Sequence, residues 1–176
     1  DMKMPPKADK KFVSDYKKEK YKFPYAGAGN VAQKSGKRPV VVGFGPGGMF
    51  SALLLARAGF KPIVLERGMD ADSRSRDVEE YWNGGKLKLN SNVQFGEGGA
   101  GTFSDGKLYT GIGKSAGRVD FVLETFADAG ANEDILYEAH PHIGTDVLCD
   151  VVKNIRKEII SLGGEVRFNS LFDSIK

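Results

Sequence analysis

The sequence of 176 residues predicts a protein of the α/β class, with a parallel sheet and flanking helices, on three observations. A run of β-branched residues, Val40 to Val42, is typical of a parallel strand that is buried on both faces. A glycine-rich turn and a stretch of helix-forming residues follow it. A second apolar run, Ile63 to Leu65, ends at the carboxylate of Glu66. Strand, helix and strand in this order form the unit from which parallel sheets are built.

The turn after the first strand carries three glycines at the G-x-G-x-x-G spacing, Gly43, Gly45 and Gly48. In a dinucleotide-binding unit the first glycine permits a tight turn, and the second lets the backbone approach a pyrophosphate. The third lets helix and strand pack closely. The helix expected from Met49 to about Ala58 would direct backbone N–H groups and its positive dipole end toward the phosphates. The spacing therefore indicates an adenine dinucleotide.

The acid at the end of the second strand supports this interpretation by its position. Glu66 lies 18 residues beyond Gly48, close to where such folds place the carboxylate that accepts hydrogen bonds from the adenosine ribose. Strand, glycines, helix, strand and acid thus follow one another in the order that the motif requires. The alternative is a glycine turn in an α/β unit that binds no ligand.

Hydrophobic periodicity and capping residues predict further helices and a third strand. The segment from Asp72 to Trp82 has a capping-type start and enough helix formers for a short helix. A longer helix over 147–162 would have Thr145 or Asp146 as its N-cap, and a strand over 166–168 would follow it. The stripes expected to face the core are Val119, Val122, Leu123 and Phe126 in one helix and Leu148, Val151, Val152, Ile155 and Ile159 in the next.

A second glycine-rich segment contains Gly96, Gly98, Gly99 and Gly101, again at the G-x-G-x-x-G spacing. The residues before it make a poor buried strand and those after it a poor helix start, so we expect a loop rather than a second dinucleotide fold. Such a loop can bring several N–H groups against one face of a ligand. The alternative is a mobile surface loop.

Three segments resemble a known family. The residues Glu66-Arg67-Gly68, which follow the second predicted strand, resemble the corresponding segment of flavoproteins of the glutathione-reductase-like FAD/NAD(P)-binding superfamily. In that superfamily the sheet and helices form a Rossmann-like domain. The segment from Val93 to Tyr109 is similar to the flavin-side loop of the bacterial NAD(FAD)-utilising dehydrogenases. The segment from His140 to Leu148 and the residues from 163 onward are similar to that group's route into the strand whose end touches adenine.

The resemblance implies FAD as cofactor and a flavin-dependent oxidoreductase of the NAD(P)H/FAD dehydrogenase type as function. Reduced nicotinamide, NADH or NADPH, would donate the hydride, and the substrate would be a small molecule of unknown identity. The resemblance assigns no catalytic residue and no metal. The residues that it implies for FAD are Gly43, Gly45, Pro46, Gly47 and Gly48 at the pyrophosphate, Glu66 at the ribose, Gly98, Gly99, Ala100, Gly101 and Thr102 beside the flavin, and the backbone of Phe172 at the adenine edge. We expect Arg67 to be a further cofactor-binding residue.

The domain organisation expected from the sequence is a basic N-terminal arm and linker over residues 1–37 and an FAD-binding domain over 38–176. In the resembled family the sheet gains a strand beside the first one, a later glycine motif and a substrate domain, and none of these follows Lys176. We therefore expect a partner in the missing C-terminal part of the same enzyme. Without it, apolar edge surface around Val40 to Val42 would be exposed and FAD would bind weakly.

The net charge of +3 is unevenly distributed, because residues 1–38 alone carry a net charge of +7. Lysines alternate with aromatic residues between Lys10 and Phe23, and this favours an arm that packs its aromatic rings on the main body and keeps its lysines in water. Contact of this arm with nucleic acid, as in an RNA-modifying flavoprotein, is the alternative to this packed arrangement. A dehydrogenase that holds NAD directly is a second alternative.

Cysteine usage and hydropathy point to a cytoplasmic protein without a membrane segment. Cys149 is the single cysteine, so this sequence holds no intrachain disulfide and no redox pair. No apolar run reaches the length needed to cross a membrane. His140 and His142 lack further ligands at the spacing of a metal site. Arg74 and Arg76 would be surface charges, with contact to a phosphate as the alternative.

Overall fold

The computed structural model describes residues 20–24, 36–108, 110–111, 117–138 and 140–175. Within these ranges the chain forms a mixed α/β structure, with a parallel three-stranded sheet of order β1-β2-β3 and flanking helices. The elements in chain order are β1 (Val40–Val42), α1 (Pro46–Arg57), β2 (Ile63–Leu65), α2 (Ala71–Trp82), a 3₁₀ helix (Gly99–Phe103), α3 (Arg118–Asp128), a second 3₁₀ helix (Glu133–Leu136), α4 (Thr145–Ser161) and β3 (Glu165–Arg167). The α/β class predicted from the sequence is confirmed at this level.

The core lies on the face of the sheet that carries helices α1 and α4. Val41, Val64 and Val166 stand in register on the three strands and pack against apolar side chains of these two helices. Val40 and Val42 are 54% and 57% exposed. The prediction that Val40 to Val42 are buried on both faces of the sheet is therefore wrong. Strand β1 is the edge strand, and none of the described residues covers the face of the sheet opposite helices α1 and α4 at this strand. The expectation of an exposed apolar edge is confirmed.

Helix α1 begins at Pro46, three residues before the predicted start at Met49, because proline suits the first position of a helix. Two other helix starts differ from the predicted ones by one or two residues. Helix α2 begins earlier than predicted, since Asp70 is its N-cap and accepts a hydrogen bond from the Ser73 N–H at 3.1 Å. Helix α4 begins at Thr145 behind Gly144, which has no side chain to act as a cap. Both shifts arise because residue preferences predict a helix start only to within one or two residues, and the backbone geometry decides the exact position.

The predicted apolar stripes differ in how deeply they are buried. All five stripe residues of α4 are buried, as predicted. In α3 Phe126 is buried, whereas the other three predicted stripe residues are only partly covered. Helix α4 packs between α1 and β3, and this central position accounts for its deeper burial.

The described part of the N-terminal arm, residues 20–24, packs on helices α1 and α3. The Tyr21 ring lies 5.2 Å from the Phe121 ring, and Tyr21 and Phe23 are half-buried. Lys20 and Lys22 between and beside them are exposed. For these residues the expectation of packed rings and solvated lysines is confirmed, while most of the predicted arm and linker lies outside the described residues.

Candidate functional site

The candidate site lies at the carboxyl ends of the three strands, where the chain continues the parallel pairing. The Gly43 N–H donates to the Leu65 carbonyl at 2.8 Å, which joins the turn after β1 to the end of β2. The Ser170 N–H donates to the Glu66 carbonyl at 2.8 Å, which joins the residues after β3 to the same point. Glu66 is thus held in the middle of this edge. Ligand sites of open α/β sheets lie at this edge.

The turn between β1 and α1 has the geometry predicted for its first and third glycines. Gly43 has φ +89°, a conformation that side chains rarely adopt. A Cβ at Gly48 would overlap the Gly43 carbonyl oxygen, so only glycine lets α1 start this close to β1. At Gly45 a Cβ would meet nothing nearer than the Gly99 Cα at 3.8 Å. The described residues therefore do not crowd the backbone of Gly45.

The N-terminus of α1 is open to an anion. Gly45 is the N-cap and has no side chain to bond the first N–H groups, and the first turn contains no acidic residue. Pro46 and Gly47 are exposed, while the Met49 N–H already donates to the Gly45 carbonyl at 2.8 Å. The first N–H groups of a helix have no partner within it, and the helix dipole makes them attractive to negative charge.

The Glu66 carboxylate is bound to backbone on both sides. Its Oε2 accepts a hydrogen bond from the Phe44 N–H at 2.6 Å, and its Oε1 accepts one from the Gly68 N–H at 2.8 Å. The residue is 4% exposed. A carboxylate has about four acceptor positions, so about two remain for other donors. Glu66 therefore fixes the turn after β1 and keeps capacity for a hydroxyl group.

The second glycine segment packs directly on the first. The Gly98 N–H donates to the Phe44 carbonyl at 2.9 Å, and a Cβ at Gly99 would lie 3.1 Å from the Gly45 Cα. A Cβ at Gly68 would overlap Gly96. The structure thus brings together three segments that are distant in sequence, 43–48, 66–68 and 96–102. Part of the predicted loop is the 3₁₀ helix Gly99–Phe103, a difference that the glycine content did not indicate.

Two residues of this segment have different surroundings. Ala100 is exposed, whereas Thr102 is buried and its hydroxyl donates to the Glu97 carbonyl at 3.2 Å. A Cβ at Gly98 would overlap this hydroxyl. Thr102 therefore shapes the segment from inside, and Ala100 lies on its outer surface.

Arg74 is not the surface charge that the sequence suggested. Its side chain is fully buried, and its guanidinium donates to the carbonyls of Asn92 at 2.8 Å, Val93 at 2.8 Å and Glu97 at 2.6 Å. It also lies 4.8 Å from the centre of the Phe103 ring. Burial lowers the pKa of Arg74 to about 10, against the opposing effect of the Glu66 and Glu97 carboxylates. By contrast Arg76 is exposed, as predicted.

Glu97 is a second buried charge that the sequence analysis missed. Its Oε2 accepts a hydrogen bond from the Ala71 N–H at 2.8 Å, at the start of α2. Its Oε1 lies 2.9 Å from the Arg156 Nε, an ion pair in which the two groups are not aligned as a hydrogen bond. Burial raises the pKa of Glu97, although the Ala71 hydrogen bond and Arg156 oppose the shift. The carboxylate thereby joins the glycine segment to α2 and α4.

One sequence signal could have revealed the buried arginine. Ala71, Arg74 and Val78 are spaced at i, i+3 and i+7 and form the buried side of α2. An arginine in an apolar stripe indicates a buried cation with specific acceptors, because an unpaired charge is costly to bury. No comparable pattern marks Glu97, whose partners lie on two other elements.

Arg67 and Phe172 lie at the outer side of the site. The Arg67 guanidinium is 4.0 Å from the centre of the Phe95 ring, and its Nη2 donates to the Asn90 Oδ1 at 2.8 Å. Phe172 follows two residues after Ser170 and is 39% exposed. A cleft of about 530 Å³ opens beside Arg67 and is lined by Met69, Asp77, residues 88–91 and Asn169.

Within the described ranges no group of three or more His, Cys, Asp or Glu side chains could hold a metal ion. In the same part of the chain no helix is long and apolar enough to cross a membrane.

Comparison with known proteins identifies a similar protein but no matching family model. A protein of Clostridium beijerinckii described as an uncharacterized protein is 61% identical over 138 residues, which cover 78% of this chain and 26% of the relative. The chain thus spans about a quarter of the length of the curated relative that it matches.

Proposed function

We propose that this chain is the FAD-binding part of a flavin-dependent oxidoreductase, with a Rossmann-like domain of the glutathione-reductase-like type. The observation that carries the proposal is the meeting of two glycine segments and the Glu66 carboxylate at the carboxyl edge of a parallel sheet. Such a place combines close backbone approach, open N–H groups and an acceptor for a ribose.

The pyrophosphate of FAD would lie against the start of α1. The space beside Gly45 and the exposed backbone of Pro46 and Gly47 suit an approach that a side chain would block. Gly43 and Gly48 would act indirectly, because they set the turn that places the helix start. Gly45 provides no side-chain cap for the N–H groups at this start, so in the described part of the chain they stay available to an anion.

The other two ends of FAD would occupy flanking positions. The Glu66 carboxylate, with Arg67 beside it, would accept the ribose hydroxyls, and the backbone near Phe172 would meet the adenine edge. The segment from Gly98 to Thr102 would lie beside the flavin ring, with Gly99, Ala100 and Gly101 on its accessible side. Bound FAD would supply hydride transfer, with NAD(P)H as donor and a small molecule as substrate.

The protein groups at this site bind and orient, and no side chain among them is assigned a proton-transfer role. Rigid hydrogen bonds from Phe44 and Gly68 hold the Glu66 carboxylate in one place before a ligand arrives. We propose the remainder of a longer cytoplasmic enzyme as the partner that completes the site, because the exposed face of β1 needs cover.

The experiment is an FAD titration of the purified full-length protein and of its Gly45→Ala variant. Among the described residues the added methyl meets no atom closer than 3.8 Å, and a φ of −74° suits alanine. The free energy of unfolding should therefore change by at most about 1 kcal/mol. We expect at least tenfold weaker FAD binding, because the methyl occupies the pyrophosphate position. Gly111→Ala, which also adds a methyl in open space, is the control and should bind as the wild type does. Equal affinity of Gly45→Ala and wild type would contradict the proposed site.

Tryptophan fluorescence gives an independent test of where the flavin lies. The Trp82 ring is 6.4 Å from the Phe103 ring, at the end of the 3₁₀ helix that would flank the flavin. Trp82 emission, taken as the difference between wild type and Trp82→Phe, should fall in step with FAD occupancy. NAD should not replace FAD in this titration. Unchanged emission at full occupancy would place the flavin elsewhere.

A further inference from the structure

The glycine segment 96–103 has a defined shape that its glycines alone do not enforce. Gly96, Gly98 and Gly99 have φ values of +126°, +81° and +63°. Glycine adopts such values readily but also adopts many others, so a segment with this composition loses much conformational entropy when it becomes ordered. Side chains of other residues must therefore hold these glycines against Gly45.

Arg74 contacts the segment near both of its ends. Its three hydrogen bonds end on carbonyls before and within the segment, and its guanidinium Cζ lies over the Phe103 ring at the far end, 4.8 Å from the ring centre. A Cβ at Gly96 would overlap the Arg74 Cδ, so the backbone is wrapped tightly around this side chain. A lysine has one nitrogen and cannot reach three separated carbonyls in a plane.

We infer that Arg74 is a positioning residue of the proposed FAD site, which holds the segment 96–103 in its flavin-facing shape before the cofactor binds. The inference rests on the proposed function. It adds Arg74 to the residues of the site as one that acts through the segment and not by contact with the cofactor. The Glu97 carboxylate supplies the second anchor, because it fastens the same segment to the start of α2 and to Arg156. Pre-organisation of this kind lowers the entropy lost on binding.

The test compares Arg74→Lys with Arg76→Lys in the full-length protein. Arg76 lies on the same helix, is exposed and donates a hydrogen bond to the Ser73 hydroxyl, so it is the matched control. We expect FAD affinity to fall at least tenfold in Arg74→Lys and to stay within twofold of wild type in Arg76→Lys. In Arg74→Ala, millimolar methylguanidinium should restore FAD affinity, and methylammonium at equal ionic strength should not.

Hydrogen exchange of the wild-type protein adds a measurement that does not depend on whether a variant folds. The Gly98 amide, which donates to the Phe44 carbonyl, should exchange slowly without FAD. Rapid exchange there would overturn the inference, as would unchanged affinity of Arg74→Lys or failure of methylguanidinium to rescue Arg74→Ala. A wild-type protein that does not bind FAD would overturn the proposed function, and the inference with it, whereas the other failures leave the proposed function standing.

Discussion

The Glu66 carboxylate accepts a hydrogen bond from the Phe44 N–H at 2.6 Å and so joins the end of β2 to the glycine turn that follows β1. The same carboxylate receives the Gly68 N–H on its other oxygen at 2.8 Å. A residue that the sequence predicts to bind a ribose is therefore also a structural element of the protein itself. Its loss should affect folding before any cofactor is added.

Glu66→Gln should destabilise the protein although it preserves the size of the side chain. A carboxamide has one acceptor oxygen, so its NH₂ group must face either the Phe44 N–H or the Gly68 N–H, donor against donor. A buried donor without an acceptor costs about 1 to 3 kcal/mol, and we expect a loss of this size in the free energy of unfolding. Urea denaturation of the cofactor-free protein measures it.

Glu79→Gln is the control for this change, since Glu79 is exposed on α2. Surface substitutions of this kind alter stability by less than about 0.5 kcal/mol. Equal stability of the Glu66 and Glu79 variants would show that the carboxylate does not hold the turn.

Alanine at two neighbouring glycines of α1 should have opposite effects. At Gly48 a Cβ would overlap the Gly43 carbonyl oxygen, and overpacking against backbone costs about 1 to 3 kcal/mol or more. At Gly47 a Cβ would meet nothing within 4 Å, and alanine in a helix is favoured over glycine by up to about 1 kcal/mol. Thermal melting should show a lower midpoint for Gly48→Ala and an equal or higher one for Gly47→Ala. A harmless Gly48→Ala would disprove the close packing of α1 on β1.

The sequence predicted those parts of the site that depend on local pattern. The turn at Gly43, the packing at Gly48 and the carboxylate at the end of β2 follow from spacing within one strand–helix–strand unit. The burial of Arg74 depends on three carbonyls that lie 18 to 23 residues further along the chain, and spacing within α2 alone does not identify them. The exposure of Val40 depends on what covers β1, which its own residues do not determine.

The Asp77 carboxylate should make stability depend on pH below the ordinary titration range of aspartate. It accepts hydrogen bonds from the Ser91 hydroxyl and from the Lys88 Nζ, the latter at 2.7 Å, and so fixes one wall of the cleft beside Arg67. Burial acts to raise the pKa of Asp77, but these hydrogen bonds outweigh it and the pKa is lowered from 3.8. A carboxyl group with a lowered pKa in the folded state stabilises the protein above the unfolded pKa and loses this contribution as pH falls through the folded pKa.

Asp77→Asn should therefore be less stable than wild type by about 1 kcal/mol at neutral pH, because one charged acceptor is lost. The difference should stay constant down to about pH 5, begin to shrink near 3.8, where the carboxyl group of the unfolded chain becomes protonated, and shrink further as pH falls through the lower pKa of the folded state. Denaturation midpoints measured at several pH values give this curve. Asp128→Asn, on the exposed end of α3, should show no such change. A stability difference that stays the same below pH 3 would mean that the charge of Asp77 contributes nothing to the fold.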